Sequence, residues 1–292
     1  MSLRIRAALA VAVLSLIAVP AAHGASKQFY LSLGDSYAVG YQDSLKHSTH
    51  NGFPDQLVPL ARKKGYRFTL VNQGCGGATT TSMLQQKGCA AAALAPGAAN
   101  YPNQTQVQAA VSFIKKHKKQ MGLVTISIGG NDIDVCLPKA DPLTCVANNM
   151  KGATRNLESI VKQLRKAGGK SLRMVGTTYP DVALGAWVRQ DVFGANASTL
   201  AAESVTAFQK YINPGLRKAY RSQKAAFVDV TTATGAFGPF TTTTLAPYGT
   251  IPVPVAKACR LTFFCSLIGI HMTTPGYGII AKLVAATLPK HH

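Results

Sequence analysis

Short apolar runs that stop at glycine or asparagine alternate along this chain with longer stretches whose apolar residues recur every three or four positions. The short runs predict strands at residues 28–33 (QFYLSL), 66–71, 123–128, 172–177 and 226–230. The longer stretches predict helices at 54–64, 105–116, 148–166, 198–222 and 274–288. The segment 148–166 carries the clearest helical spacing, through Leu157, Ile160, Val161 and Leu164, and Gly168–Gly169 ends it. The helix at 198–222 is expected to bend at Pro214, and Pro59 weakens the first helix. Residues 237–254, rich in Thr, Pro and Gly, read as a surface loop near the functional site. Strands alternating with helices imply an α/β fold, a single three-layer α/β/α domain around a central, mostly parallel sheet. Functional groups of such sheets gather in loops at the carboxyl ends of the strands.

The N-terminus does not belong to this pattern. Arg4 and Arg6 precede an apolar run over residues 7–19, Pro20 breaks it, and Ala21, Ala22, Gly24 and Ala25 supply small residues for cleavage. A run of roughly 13 residues is shorter than the ~20 that a spanning helix needs, so residues 1–25 read as a secretion signal. The folded domain is then residues 26–292, a length one large α/β domain accommodates. Export favours disulfides among Cys75, Cys89, Cys136, Cys145, Cys259 and Cys265. Six cysteines permit fifteen pairings, and their three tight clusters in sequence favour the nearest-neighbour set, Cys75–Cys89, Cys136–Cys145 and Cys259–Cys265. No CxxC or Cys/His knuckle suggests zinc.

Beyond residue 26 the chain has 29 Lys and Arg against 11 Asp and Glu. Such a field attracts polyanions or anionic lipid headgroups. The basic residues are scattered apart from Lys115–Lys119 (KKHKK), and no nucleic-acid module accompanies them. Charge therefore assigns no function.

Three of the strands run into unusual loops: GDSY, NQGCGGATT and GGND. Ser36, in Gly34-Asp35-Ser36-Tyr37, stands just beyond the first strand, where a strand-to-helix turn exposes a side chain and aims backbone amides at it. This is not a GxSxG elbow, because position 38 is Ala. A serine nucleophile needs a base. His23 lies in the leader, His291 and His292 in the tail, His117 among lysines, and His47 and His50 in a polar loop where an HxxH pair is a weak metal motif. His271 remains, flanked by Ile268, Ile270 and Met272 just ahead of the last helix. Gly74, Gly76 and Gly77 allow backbone N–H groups to approach a substrate, and Asn131 offers a side-chain amide.

In order, these blocks resemble the SGNH (GDSL-type) hydrolase superfamily, over nearly the whole chain after the leader. Gly34-Asp35-Ser36-Tyr37 matches its first block and Asn72-Gln73-Gly74-Cys75-Gly76-Gly77-Ala78-Thr79 its second, with Gly77 on the oxyanion glycine. Gly129-Gly130-Asn131-Asp132 matches the third, and His271 followed by Gly276-Tyr277 the last. The three neighbouring cysteine pairs are similar to those of secreted actinobacterial-type esterases and lipases. The resemblance implies Ser36 as nucleophile, His271 as base, an oxyanion hole of Ser36, Gly77 and Asn131, and no cofactor or metal. Asp35 and Asp132 are expected to hold loops in place.

One position departs from the family. An acid commonly stands three residues before the histidine, and here it is Ile268; no Asp or Glu follows Asp229. A backbone carbonyl near Leu267 or Ile268 is the expected substitute for orienting the imidazole, with a remote acid, Asp134 or Asp181, as the alternative. The implied substrate is a small-molecule or lipid ester. The basic surface adds peripheral contact with an anionic membrane or acidic polymer, and a monomer is expected. The same departure supports a rival reading, a catalytically silent domain of this type that only binds such a surface.

Overall fold

A computed structural model describes residues 27–290, so the leader over residues 1–25 lies outside the described residues. Five strands form one parallel sheet: β1 (Gln28–Gly34), β2 (Phe68–Asn72), β3 (Met121–Ser127), β4 (Met174–Thr177) and β5 (Ala226–Val228). Their spatial order is β2-β1-β3-β4-β5, with every pairing parallel. The inner strands β1, β3 and β4 are buried over most of their length, which is why β1 and β3, the longest, read as continuous apolar runs.

Helices cover both faces. On one side α1 (Phe53–Arg62) packs against the C-terminal helix α8 (Thr274–Ala286). On the other, α3 (Gln106–Lys116) and α6 (Asn213–Arg221) flank α4 (Pro142–Gly168), while the short α2 (Thr80–Gln85) touches α3 and α4. The helix α4 starts six residues before its expected boundary because Asp141 caps it, accepting from the Thr144 N–H at 2.9 Å, with Pro142 fitting the first turn. Its buried stripe, including Met150, Leu157, Ile160, Val161 and Leu164, faces the core. The result is the expected three-layer α/β/α domain.

Three expectations are corrected. The helix expected over 198–222 is three pieces: α5 (Ala197–Ala207), a π-helical turn (Phe208–Ile212) and α6. Pro214 has no N–H to give the preceding turn, and the chain widens there before α6 resumes. The segment 237–254 is not a plain loop. Thr242–Leu245 pairs with Gly249–Pro252 as an antiparallel ribbon, and α7 (Val253–Leu261) follows. The β-branched threonines favour that extended pairing. The strand expected to reach residue 230 stops at Val228, since Asp229 caps a helical turn by accepting from the Thr232 N–H.

Candidate active site

All five strands point their carboxyl ends to one edge, and the sequence blocks singled out above meet there. β1 ends at Gly34, whose φ of +131° places a hypothetical Cβ 1.8 Å from the Ser127 carbonyl oxygen, so only glycine fits. Gln106 of α3 clamps this residue, donating from Nε2 to the Gly34 carbonyl (3.0 Å) and accepting from its N–H (2.8 Å). The Asp35 N–H donates to Ser127, and Ser36 follows as the chain turns. Asp35 itself points inward, accepting from the Tyr37 N–H (3.0 Å) and the Tyr179 hydroxyl. Burial pushes its pKa up to about 7, a shift the Tyr179 bond only partly offsets.

The ends of the chain close on each other at this edge. The Ser36 Oγ–H donates to His271 Nε2 at 2.8 Å. On the far side of the ring, His271 Nδ1 lies 2.9 Å from Asp43 Oδ1, and the His271 backbone N–H donates to Asp43 Oδ2 at 3.0 Å. A carboxylate accepts, so Nδ1 carries the ring proton and Nε2 offers Ser36 a lone pair. The expectation of a carbonyl at Leu267 or Ile268 is therefore corrected, as is the alternative of Asp134 or Asp181: the imidazole is oriented by Asp43. Ile268 instead caps a short helical turn in the left-handed region (φ +55°). Asp134 lines the cavity beside Ser36 with its pKa raised by burial to about 6, and Asp181 is buried behind it, accepting from Ser204 Oγ.

Asp43 arrives on a small ribbon, Tyr41–Gln42 paired with His47–Ser48. Several bonds tie that ribbon to the last segment. Tyr277 O–H donates to the Tyr41 carbonyl (2.8 Å), Gln42 Nε2 donates to Thr274 Oγ1 (3.0 Å), and Tyr37 O–H donates to the Ile270 carbonyl (2.6 Å). A Cβ on residue 269 would sit 2.3 Å from the Asp43 carboxyl, so Gly269 makes the close approach possible. The cap of α8, Thr273, and the Cys259–Cys265 disulfide hold the flanks of His271, and the Phe263 N–H donates to the His271 carbonyl.

The other two blocks supply donors. The glycine turn after β2 hangs on β1 through the Cys75 N–H, which donates to the Gly34 carbonyl. Gly77 has φ +79° and open space where a side chain would be. Among the described residues, the N–H groups of Ser36 and Gly77 have no protein acceptor. Asn131 Nδ2 donates to the Ala78 carbonyl (2.9 Å), using one of its two protons and tying the third block to the second. Asp132 reinforces that tie, accepting from both the N–H and the hydroxyl of Thr80. All three disulfides join sequence neighbours as expected: Cys75–Cys89, Cys136–Cys145 and Cys259–Cys265. His47 and His50 are elsewhere engaged, with the Ser48 carbonyl and Asp55.

From Ser36 a cavity of about 160 Å³ runs inward between α4 and α5. Its wall is mostly aliphatic and aromatic, with Ile133, Leu143, Val146, Leu200, Phe208 and Ile212 among the lining residues. No residue of the 237–254 segment lines it.

A sequence profile described as the GDSL-like Lipase/Acylhydrolase family matches residues 32–279, which span every block of this site. The chain belongs to that family. Two solved structures share the fold of this GDSL-like hydrolase. The lipase Lip_vut3 from a goat rumen metagenome is 15% identical, with a TM-score of 0.55 over 89% of this chain and 96% of its own. Phospholipase A1 from Streptomyces albidoflavus NA297 is 18% identical, with a TM-score of 0.52 over 90% of this chain and 100% of its own. A search of curated protein sequences finds no match. Of the residues that build the site in this GDSL-type chain, sequence reasoning missed Asp43, Gln106 and Tyr179. The signal for Asp43 was an acid in the turn seven residues after Ser36, together with Gly269 near the histidine.

Proposed function

We propose that this hydrolase is a secreted carboxylic-ester hydrolase working through a covalent acyl-enzyme on Ser36. The observation that carries the reading is the continuous hydrogen-bond chain from Ser36 Oγ through His271 to Asp43. His271 Nε2 takes the hydroxyl proton as Ser36 Oγ attacks the ester carbonyl carbon, and the carbonyl π electrons move onto oxygen. The N–H groups of Ser36 and Gly77 and the remaining Asn131 amide proton receive that oxyanion. His271 then returns the proton to the departing alkoxide as the carbonyl reforms. Water, deprotonated by the same imidazole, repeats the cycle and releases the acid. Asp43 fixes the tautomer and stabilises the imidazolium formed in each half.

The acyl part fits the apolar cavity beside Ser36, which supports a lipid or other long acyl ester over an acetylated sugar. The two fold relatives, a lipase and a phospholipase A1, are named for activities of the same class. The reading as a silent binding domain rested on the absent acid at position 268, and Asp43 now stands in that role. Secretion belongs to the proposal through the leader pattern of residues 1–25 and three disulfides that suit an oxidising compartment. Ser36→Ala is expected to abolish p-nitrophenyl ester hydrolysis with the thermal transition unchanged; turnover retained in that variant removes Ser36 from the mechanism.

A further inference from the structure

Scattered exposed apolar side chains are ordinary on a protein surface, but a cluster around one opening is not. Three of the large exposed ones here lie on segments that also carry cavity-lining or site residues: Leu45 (49% exposed), Val135 (56%) and Leu267 (53%). Leu45 is two residues from Asp43, on the loop that holds His271. Val135 stands between Asp134 and Cys136, which both line the cavity. Leu267 is three residues before Ile270, another lining residue. Trp187 and Val192 are exposed on the segment that packs against the Phe264–Leu267 turn. Their segment is held to it by Arg189 Nη1, which donates to the Cys265 carbonyl (3.3 Å), and by Phe193 stacked on Phe264.

Charge points the same way. Lys46 next to Leu45, and Lys139 four residues after Val135, are exposed and form no ion pair among the described residues. Six of the eleven acids, Asp35, Asp43, Asp132, Asp134, Asp181 and Glu203, lie in the site, in its cavity wall or beneath it, so the rest of the surface is more cationic than the formal charge implies. We infer that the exposed apolar residues of these site-bearing segments, with Lys46 and Lys139, dock the enzyme on an anionic phospholipid surface, with Leu45, Val135 and Leu267 entering the headgroup–acyl boundary. A bilayer engages both the apolar side chains and the cations. A hydrated acidic polymer would use only the cations. Docking there sets the cavity mouth against the acyl chains, so the inference deepens the ester-hydrolase reading, although binding itself needs no catalysis.

The test uses Ser36→Ala protein, which leaves the vesicles intact, and reads co-sedimentation together with the emission of Trp187, the single tryptophan. Vesicles of phosphatidylglycerol and phosphatidylcholine are compared with phosphatidylcholine alone. Partitioning to the anionic vesicles is expected to exceed that to the neutral ones at least tenfold and to fall at least tenfold in 0.5 M NaCl. The emission should shift to the blue on binding. Leu45→Ser/Leu267→Ser is expected to lower anionic-vesicle binding at least tenfold; placed in the Ser36 enzyme, it is expected to leave hydrolysis of soluble p-nitrophenyl acetate unchanged. No binding by the parent, or full binding by the leucine variant, overturns the proposal; the second result would assign the attraction to charge alone, as for an acidic polymer. Vesicle binding by a protein whose Ser36 form hydrolyses no ester would overturn the catalytic reading and leave the docking surface standing.

Discussion

Asp43 accepts two hydrogen bonds from one residue, the ring N–H and the backbone N–H of His271, and so fixes both the place and the tautomer of the imidazole. Asp43→Asn is expected to lower kcat by about 10²- to 10⁴-fold with KM little changed, because an amide tolerates the wrong tautomer and cannot stabilise an imidazolium. Steady-state kinetics on a soluble ester check this, and a change confined to KM would assign Asp43 to substrate binding. A second carboxylate has a different fate. Asp181 is buried, and desolvation pushes its pKa up to about 7 despite the Ser204 hydroxyl and the amides of Ala183 and Leu184. A carboxyl whose folded pKa is raised favours folding most below its unfolded pKa near 4, and that contribution is lost as pH rises through 7. Stability should therefore decline from pH 4 to 8, and Asp181→Asn should flatten the decline, by on the order of 1–3 kcal/mol at pH 8. Thermal melts across that range decide it; parallel curves for the two proteins would mean that the Asp181 carboxyl is hydrated. Asp35 and Asp134 act with the same sign, so part of the slope is expected to remain.

At the scale of elements, the break between α5 and α6 gives the cavity wall Ala207, Phe208 and Ile212, and both pieces pack against α4. Ala207→Phe is expected to lower kcat/KM for long-chain p-nitrophenyl esters at least tenfold while sparing the acetate. Equal loss on both would place the acyl chain elsewhere. The same region marks how far sequence patterning reaches. Strands β1 and β3 were legible because burial on both faces makes them continuously apolar, and α4 because one face is. The π-helical turn was not, since Pro214 signals a bend in residues 198–222 but leaves no sequence mark of the widened turn that precedes it. In the site, Ser36, Gly77, Asn131 and His271 were legible because each follows a strand or precedes a helix at a fixed block. Asp43 was not. It reaches His271 through a two-residue ribbon, a tyrosine bond to the Tyr41 carbonyl and the missing side chain of Gly269, none of which leaves a local pattern.

On the scale of the whole molecule, Ser36 just beyond the first strand and His271 just before the last helix share one hydrogen bond across 235 residues of chain. The parallel sheet makes that possible by carrying β1, β2 and β3 to one edge, and α1 against α8 brings the C-terminal segment alongside. Local disulfides leave this long-range closure to packing and hydrogen bonds, and instead stiffen the loops that carry Gly77, the cavity wall and the approach to His271. The claim everything depends on is that this closure activates Ser36. Labelling with a fluorophosphonate, located by mass spectrometry of the digested protein, tests it most directly. Stoichiometric modification of Ser36, much slower in His271→Ala and absent in Ser36→Ala, is the expected result. An unlabelled wild-type protein, or label on another serine, would contradict it.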